Sequence, residues 1–349
     1  MAKVTVAAPA NIAFIKYWGA LNLEQALPFH PSISMTLSAC RSESTVEFRP
    51  LQGLPSKAPE DEVFLVDSEG RLREPPQAFR RRIDAHLDRL RRWADARGSF
   101  RVATRNTFPA AAGLASSASG FSALTLAAAH ALVTSGGTSR QLPDGRELSI
   151  LARMSGSGSA SRSVFGGYVE WPAQDGARDP ERCYAFPLAD AEHWALADVI
   201  ALVETRAKEV SSLEGHLRAA TSPHFDRRKT LLPERLERTR RAIAERDIET
   251  LGEVIEEDAI ELHLIAMSSR PPIFYWRPAT LEVLEQVRRL RRDGVPAFST
   301  MDAGANVHVI CPADAADEVA RRLTAVDGVR GVIRDQVGAG PSFSDQEFF

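Results

Sequence analysis

Phe108-Pro109-Ala110-Ala111-Ala112-Gly113-Leu114-Ala115-Ser116-Ser117-Ala118-Ser119-Gly120 runs directly into an Ala-rich helical pattern over residues 114–133. Small side chains let backbone N–H groups come close to an oxyanion, and the first turn of a helix adds unpaired donors and the positive end of its dipole. The stretch therefore reads as a phosphate cradle, with the Ser116 and Ser117 hydroxyls available to a phosphate or a bound Mg²⁺. Taken alone it reads equally as a buried Ala/Ser helix packed on a sheet.

Three further segments place chemistry-bearing residues among small or apolar ones. Residues 155–163 alternate serine with glycine or alanine (Ser155, Ser157, Ser159, Ser161) and carry Arg162, whose paired donors suit a carboxylate or phosphate; a flexible turn is the alternative. Residues 11–19, led by Asn11, set Lys16 and Tyr17 just after a first strand, where both polar tips can reach a cleft; a snorkelling surface lysine is the ordinary alternative. In Thr300-Met301-Asp302-Ala303-Gly304-Ala305-Asn306, Asp302 is either an Asx-turn residue or a carboxylate facing a substrate hydroxyl.

Around these segments, strand-like runs recur at 3–8, 45–48, 63–66, 100–104, 164–171 and 197–204. Amphipathic helical patterns occupy 79–96 and 146–154. From about residue 205, longer charged helices at 231–244, 248–266 and 279–292 precede strands at 297–301 and 306–310, a helix at 313–324 and a strand at 329–334. This order predicts an α+β protein with a nucleotide-handling N-terminal half and a lid-like C-terminal half. The tail, 338–349, reads as mobile or docked onto a partner. The 349 residues carry a net charge of −3, which gives no general attraction to nucleic acid or to an acidic membrane. Cys40, Cys183 and Cys311 suggest neither a disulfide framework nor a metal site, and no apolar run reaches membrane-spanning length. We expect a soluble cytoplasmic protein.

In order and spacing, residues 8–13 (Ala-Pro-Ala-Asn-Ile-Ala), Lys16-Tyr17-Trp18-Gly19, Ser32-Ile33-Ser34, 108–120, 156–171 and 300–306 together resemble the mevalonate 5-diphosphate decarboxylase family of the GHMP small-molecule kinase superfamily. The resemblance implies the two-lobed α+β GHMP kinase fold, with a ribosomal-protein-S5-like half over 1–190 and a ferredoxin-like half over 191–349. It implies ATP and Mg²⁺, phosphorylation of the C3 hydroxyl of a 5-phosphorylated mevalonate, and loss of phosphate and CO₂, in a protein that is commonly a homodimer. Asp302 would accept or orient the C3 hydroxyl proton, Lys16 would support it, and Arg162 would clamp the C1 carboxylate. Ser157, Ser159, Tyr17 and Asn11 would hold the rest of the substrate. Gly113, Leu114, Ala115, Ser116 and Ser117 would hold the ATP phosphates, with Ser116 or Ser117 on Mg²⁺.

The chain departs from the family pattern where that pattern places the terminal phosphate. Ala20 replaces the lysine that usually follows Tyr-Trp-Gly, His30-Pro31 replaces Asn-Ser, and Leu213 and His216 stand where several bacterial relatives carry an arginine and a methionine. Two missing charged contacts, each worth about 1.5–3 kcal/mol, lead us to expect mevalonate 5-phosphate as the preferred substrate, giving isopentenyl phosphate. The alternatives are the diphosphate substrate, its site restored by Arg80, Arg81, Arg82, His30 or His216; a kinase that stops at the 3-phosphate; and a non-catalytic sensor.

Overall fold

The computed structural model describes residues 3–51, 60–109, 116–172, 178–206 and 209–349. The N-terminal half runs through β1 (Lys3–Ile15), a small hairpin of β2 (Ala20–Asn22) and β3 (Leu27–Pro28), β4 (Ser32–Pro50), β5 (Glu62–Val66) and β6 (Leu72–Arg73). Helix α1 (Gln77–Ala94), β7 (Gly98–Asn106), α2 (Ser116–Thr134), α3 (Gly145–Arg153), a 3₁₀ turn (Gly158–Ser161), β8 (Tyr168–Trp171) and β9 (Phe186–Ala189) complete it. The C-terminal half has β10 (Leu196–Leu202), α4 (Ser212–Ala219), α5 (Phe225–Glu245), α6 (Ile248–Ser268), α7 (Pro278–Arg292), β11 (Phe298–Thr300), β12 (Val307–Pro312), α8 (Ala316–Thr324), β13 (Gly331–Gln336) and β14 (Ser342–Ser344).

The long antiparallel pair β1–β4 is the axis of the N-terminal sheet, whose order is β14-β1-β4-β7-β5-β6, with β8 and β9 continuing from the start of β4. Helix α2 lies on this sheet. Ala123, Ala127, Ala128 and Ala131 let it approach closely, and nearly every side is covered, so it shows none of the polar face of a surface helix. It is the one helix among the described residues long and apolar enough to cross a membrane, and most of it is buried in the protein core. The C-terminal sheet has the order β11-β12-β10-β13, all pairs antiparallel. That is a ferredoxin-like arrangement in which four helices fill the first crossover.

Several boundaries differ from the sequence reading. The strand expected at 164–171 starts only at Tyr168, because Val164–Gly167 turns out of the serine loop, with Gly167 at φ 70°. Helix α5 begins six residues before the expected Leu231 and runs straight through Pro233. Helix α4 was not anticipated, although Ser211 caps it by accepting the Glu214 amide. The tail is docked: β14 pairs with β1 at Thr5–Ala7, and Lys3 Nζ meets Glu347 at 2.7 Å. Cys40, Cys183 and Cys311 are buried free thiols.

Candidate active site

Strand β1 delivers Lys16 one residue beyond its end, and the β11–β12 loop delivers Asp302 from 286 residues away. Lys16 Nζ donates to Asp302 Oδ1 at 2.9 Å and to the Ala13 carbonyl at 2.8 Å. The lysine side chain is 2% exposed and the aspartate 29%, so the ammonium is sealed beneath a carboxylate that still faces open space. The loop is fixed from both sides. Asn306 Oδ1 accepts the Val203 and Glu204 amides at 2.8 and 2.9 Å, and Thr280 Oγ1 donates to the Ala305 carbonyl at 2.8 Å.

Arg162 follows the 3₁₀ turn and lies under the start of β4. It donates through Nη1 to Ser32 Oγ at 2.5 Å and through Nη2 to Asn11 Oδ1 at 3.0 Å, while Asn11 Nδ2 donates to Ser163 Oγ at 2.8 Å. Burial draws the Arg162 guanidinium down to about 10, against the opposing pull of Asp302, so it stays charged at neutral pH. Among the described residues no carboxylate forms an ion pair with it and its buried Nε has no hydrogen-bond partner. A buried cation in this condition is costly, and an anionic ligand relieves the cost.

The serine loop joins this site to α2. Ser157 Oγ lies 3.3 Å from Ser159 Oγ and 3.5 Å from Ser117 Oγ, so the serines expected on the substrate side touch one expected on the nucleotide side. Tyr17 packs edge-on against Trp171 with ring centres 5.0 Å apart, and burial raises its hydroxyl pKa, which keeps it a donor. Gly158 fits beneath both rings. A Cβ there would stand 2.6 Å from Trp171 and 2.8 Å from Tyr17. Gly158→Ala is expected to displace Tyr17 at an overpacking cost of about 1–3 kcal/mol, raising KM for the substrate bound beside Tyr17 more than KM for a nucleotide bound at α2. Steady-state kinetics with each substrate varied in turn checks this.

A cavity of about 490 Å³ opens at the N-terminus of α2, lined by Leu65, Val66, Phe79, Val102, Phe108 and Phe121 with Ser116, Ser117, Arg82, Arg105 and Asn106 at its polar edge. An apolar wall beside helix N-terminal donors, hydroxyls and cations suits a nucleotide. Gly113, Leu114 and Ala115 lie outside the described residues, whereas Ser116 and Ser117 form the first turn of α2. Among the described residues no cluster of three His, Cys, Asp or Glu side chains is placed to hold a metal. The donor set therefore fits Mg²⁺ carried on phosphates with serine hydroxyls and water, its usual preference, and not an all-protein cage.

Of the groups proposed to compensate for Ala20 and Leu213, Arg81 is exposed on α1 and the other four are buried or make contacts of their own. Arg80 pairs with Asp84 at 2.8 Å and Arg82 stacks 4.8 Å over Phe121 at the edge of the 490 Å³ cavity. His30 is buried, which lowers its pKa to about 4 and leaves it neutral. His216 Nδ1 accepts the Gly19 amide at 3.0 Å between the Tyr17 and Trp18 rings. Leu213 is 55% exposed on α4, and Glu214 pairs with Arg218 one turn along.

Sequence reasoning missed a second layer. Asp258 Oδ2 accepts the Lys16 amide at 2.8 Å, and Arg228 bridges the Lys16 carbonyl and Asp258, each at 3.1 Å.

A model of the diphosphomevalonate decarboxylase-like N-terminal domain matches residues 8–185, and one of the mevalonate 5-diphosphate decarboxylase C-terminal domain matches 198–336. The chain belongs to the diphosphomevalonate decarboxylase family. Within that family, the diphosphomevalonate decarboxylase of Candida albicans is 31% identical over 98% of both chains, and the human enzyme of that name is 32% identical over 93% of this chain and 80% of its own. The solved mevalonate diphosphate decarboxylase of Staphylococcus aureus superposes with a TM-score of 0.86 at 30% identity over 98% of both chains. A complex with MVAPP, AMPPCP and magnesium superposes at 0.84 with 32% identity over 99% of both. These family relatives favour the diphosphate alternative over the monophosphate preference expected from Ala20 and Leu213.

Proposed function

We propose that this chain is an ATP- and Mg²⁺-dependent carboxy-lyase that converts mevalonate 5-diphosphate to isopentenyl diphosphate, ADP, phosphate and CO₂. The observation that carries the reading is the Lys16–Asp302 pair, whose carboxylate is partly exposed and near enough to the buried Arg162 to act on its charge, with Arg162 in no ion pair with a carboxylate among the described residues.

ATP with Mg²⁺ supplies the phosphoryl group that turns the tertiary C3 hydroxyl into a leaving group. Asp302 accepts or orients the proton of that hydroxyl, and Lys16 offsets charge on the attacking oxygen. The first turn of α2, with Ser116 and Ser117, holds the transferring phosphates in place. Arg162, fixed by Ser32 and Asn11, holds the C1 carboxylate so that the C1–C2 bond lies along the direction in which the C3–O bond breaks. As phosphate leaves C3, the electrons of the C1–C2 bond become the alkene and CO₂ departs. The buried surroundings of Lys16 and Arg162 keep water from the electron-poor C3.

A second reading is favoured by one observation: the positions of Ala20 and Leu213 bring no cation to the 5-phosphate end. In that reading mevalonate 5-phosphate is used and isopentenyl phosphate formed. Release of labelled CO₂ from C1-labelled mono- and diphosphate forms, with ADP formation followed in parallel, separates the readings. A higher kcat/KM for the diphosphate is expected. A higher value for the monophosphate would establish the second reading, ADP without CO₂ would mean a kinase, and neither product would end the enzyme reading.

A further inference from the structure

We infer that α6 is the template that sets the Lys16–Asp302 geometry, with Asp258 and His263 as positioning residues for the reaction. The inference rests on the decarboxylase reading only for its kinetic consequence; the anchoring itself is a property of the fold.

Lys16 and Asp302 come from different halves of the chain, and neither β1 nor the β11–β12 loop pairs with the other. Something must hold them in register, and one helix touches both. Asp258 accepts the Lys16 backbone amide at 2.8 Å, and Arg228 of α5 closes the unit by donating to the Lys16 carbonyl while forming an ion pair with Asp258 at 2.8 Å. Both charged side chains are 0% exposed, and Arg228 also reaches Glu261 at 2.7 Å. Burial pushes the Asp258 carboxyl up, but Arg228 and the Lys16 amide outweigh it and hold the group ionised. His263, five residues further along α6, hydrogen-bonds to the Asp302 backbone and packs between Tyr275 and Trp276. Burial first, and the Lys16 charge second, lower its pKa to about 3, so a neutral ring supports the Asp302 loop without adding a cation beside Lys16. A displacement of about 1 Å between reacting groups can cost ~10²-fold in rate, so a rigid helix spanning the pair is the expected means of holding it.

The test contrasts Asp258→Ala with Asp258→Asn. Both lose one of the two carboxylates that pair with Arg228, but Asn retains an oxygen for the Lys16 amide. We expect Asp258→Ala to lower kcat by about 10²-fold with the affinity for nucleotide unchanged, and Asp258→Asn to recover most of that loss. Hydrogen exchange over residues 15–17 should show protection lost in the Ala variant and kept in the Asn variant, a readout independent of turnover. His263→Phe, which keeps the ring packing, should lower kcat up to about tenfold. Equal kcat losses in the Ala and Asn variants that follow their thermal midpoints would overturn the inference, as would an Ala variant with wild-type kcat or unchanged exchange. Wild-type protein that releases no CO₂ would sink the decarboxylase reading instead, and the exchange contrast would still decide the anchor.

Discussion

Asp302→Asn is expected to reduce turnover by about 10³-fold, within the range that a positioned acid–base group contributes, while nucleotide affinity stays at the wild-type value. The substitution keeps the shape and still offers Lys16 an acceptor oxygen, so the loop pinned by Asn306 and Thr280 has no reason to move. What it removes is the negative charge that balances a lysine whose side chain is 2% exposed and that, in the proposed mechanism, accepts or orients the C3 hydroxyl proton. Nucleotide titration and single-turnover CO₂ release separate the two effects. Turnover within about tenfold of wild type would remove Asp302 from the mechanism, since a general base of average effect contributes more than that.

Arg162→Ala should be nearly as damaging, for a different reason. Its guanidinium is the cation available to a substrate carboxylate, and it also satisfies Ser32 Oγ and Asn11 Oδ1. Losing a buried charged partner of this kind costs about 2–5 kcal/mol, which corresponds to a fall in kcat/KM of roughly 30- to 5,000-fold. Arg162→Lys is expected to stay impaired, because an ammonium cannot replace the fork that reaches Ser32, Asn11 and an anion together. CO₂ release and ADP formation should fall together, since the proposed carboxylate clamp would set the substrate for both steps. Wild-type kinetics in the Ala variant would disprove the clamp.

The parts of the site legible in the sequence were those whose chemistry is local. Ser116 and Ser117 stand out because small residues feed a helix start, and Arg162 because it interrupts a run of serines. Lys16 and Asp302 are individually ambiguous. Nothing in their spacing shows that they meet, and the motif resemblance brought them together before the fold did. Asp258 and Arg228 were illegible for a physical reason. On helices as charged as α5 and α6, acidic and basic residues at helical spacing read as a solvated face, and only the packing of two helices over the end of β1 reveals that this pair is buried. Helix α5 was read short because Pro233 normally marks a first turn, whereas here the helix continues through it. The strand in the tail escaped notice because three residues carry almost no periodic signal.

That short strand has a consequence for how the molecule is made. Residues 342–344 cover the outer margin of β1 at Thr5–Ala7, so the N-terminal sheet is finished only by residues synthesised some three hundred positions later. Until they arrive, the nascent first half offers bare backbone donors and acceptors to any neighbouring strand, a template for intermolecular pairing. A fragment ending near residue 190 would keep that margin permanently open and should self-associate, even though it holds every described residue that lines the cavity at the start of α2.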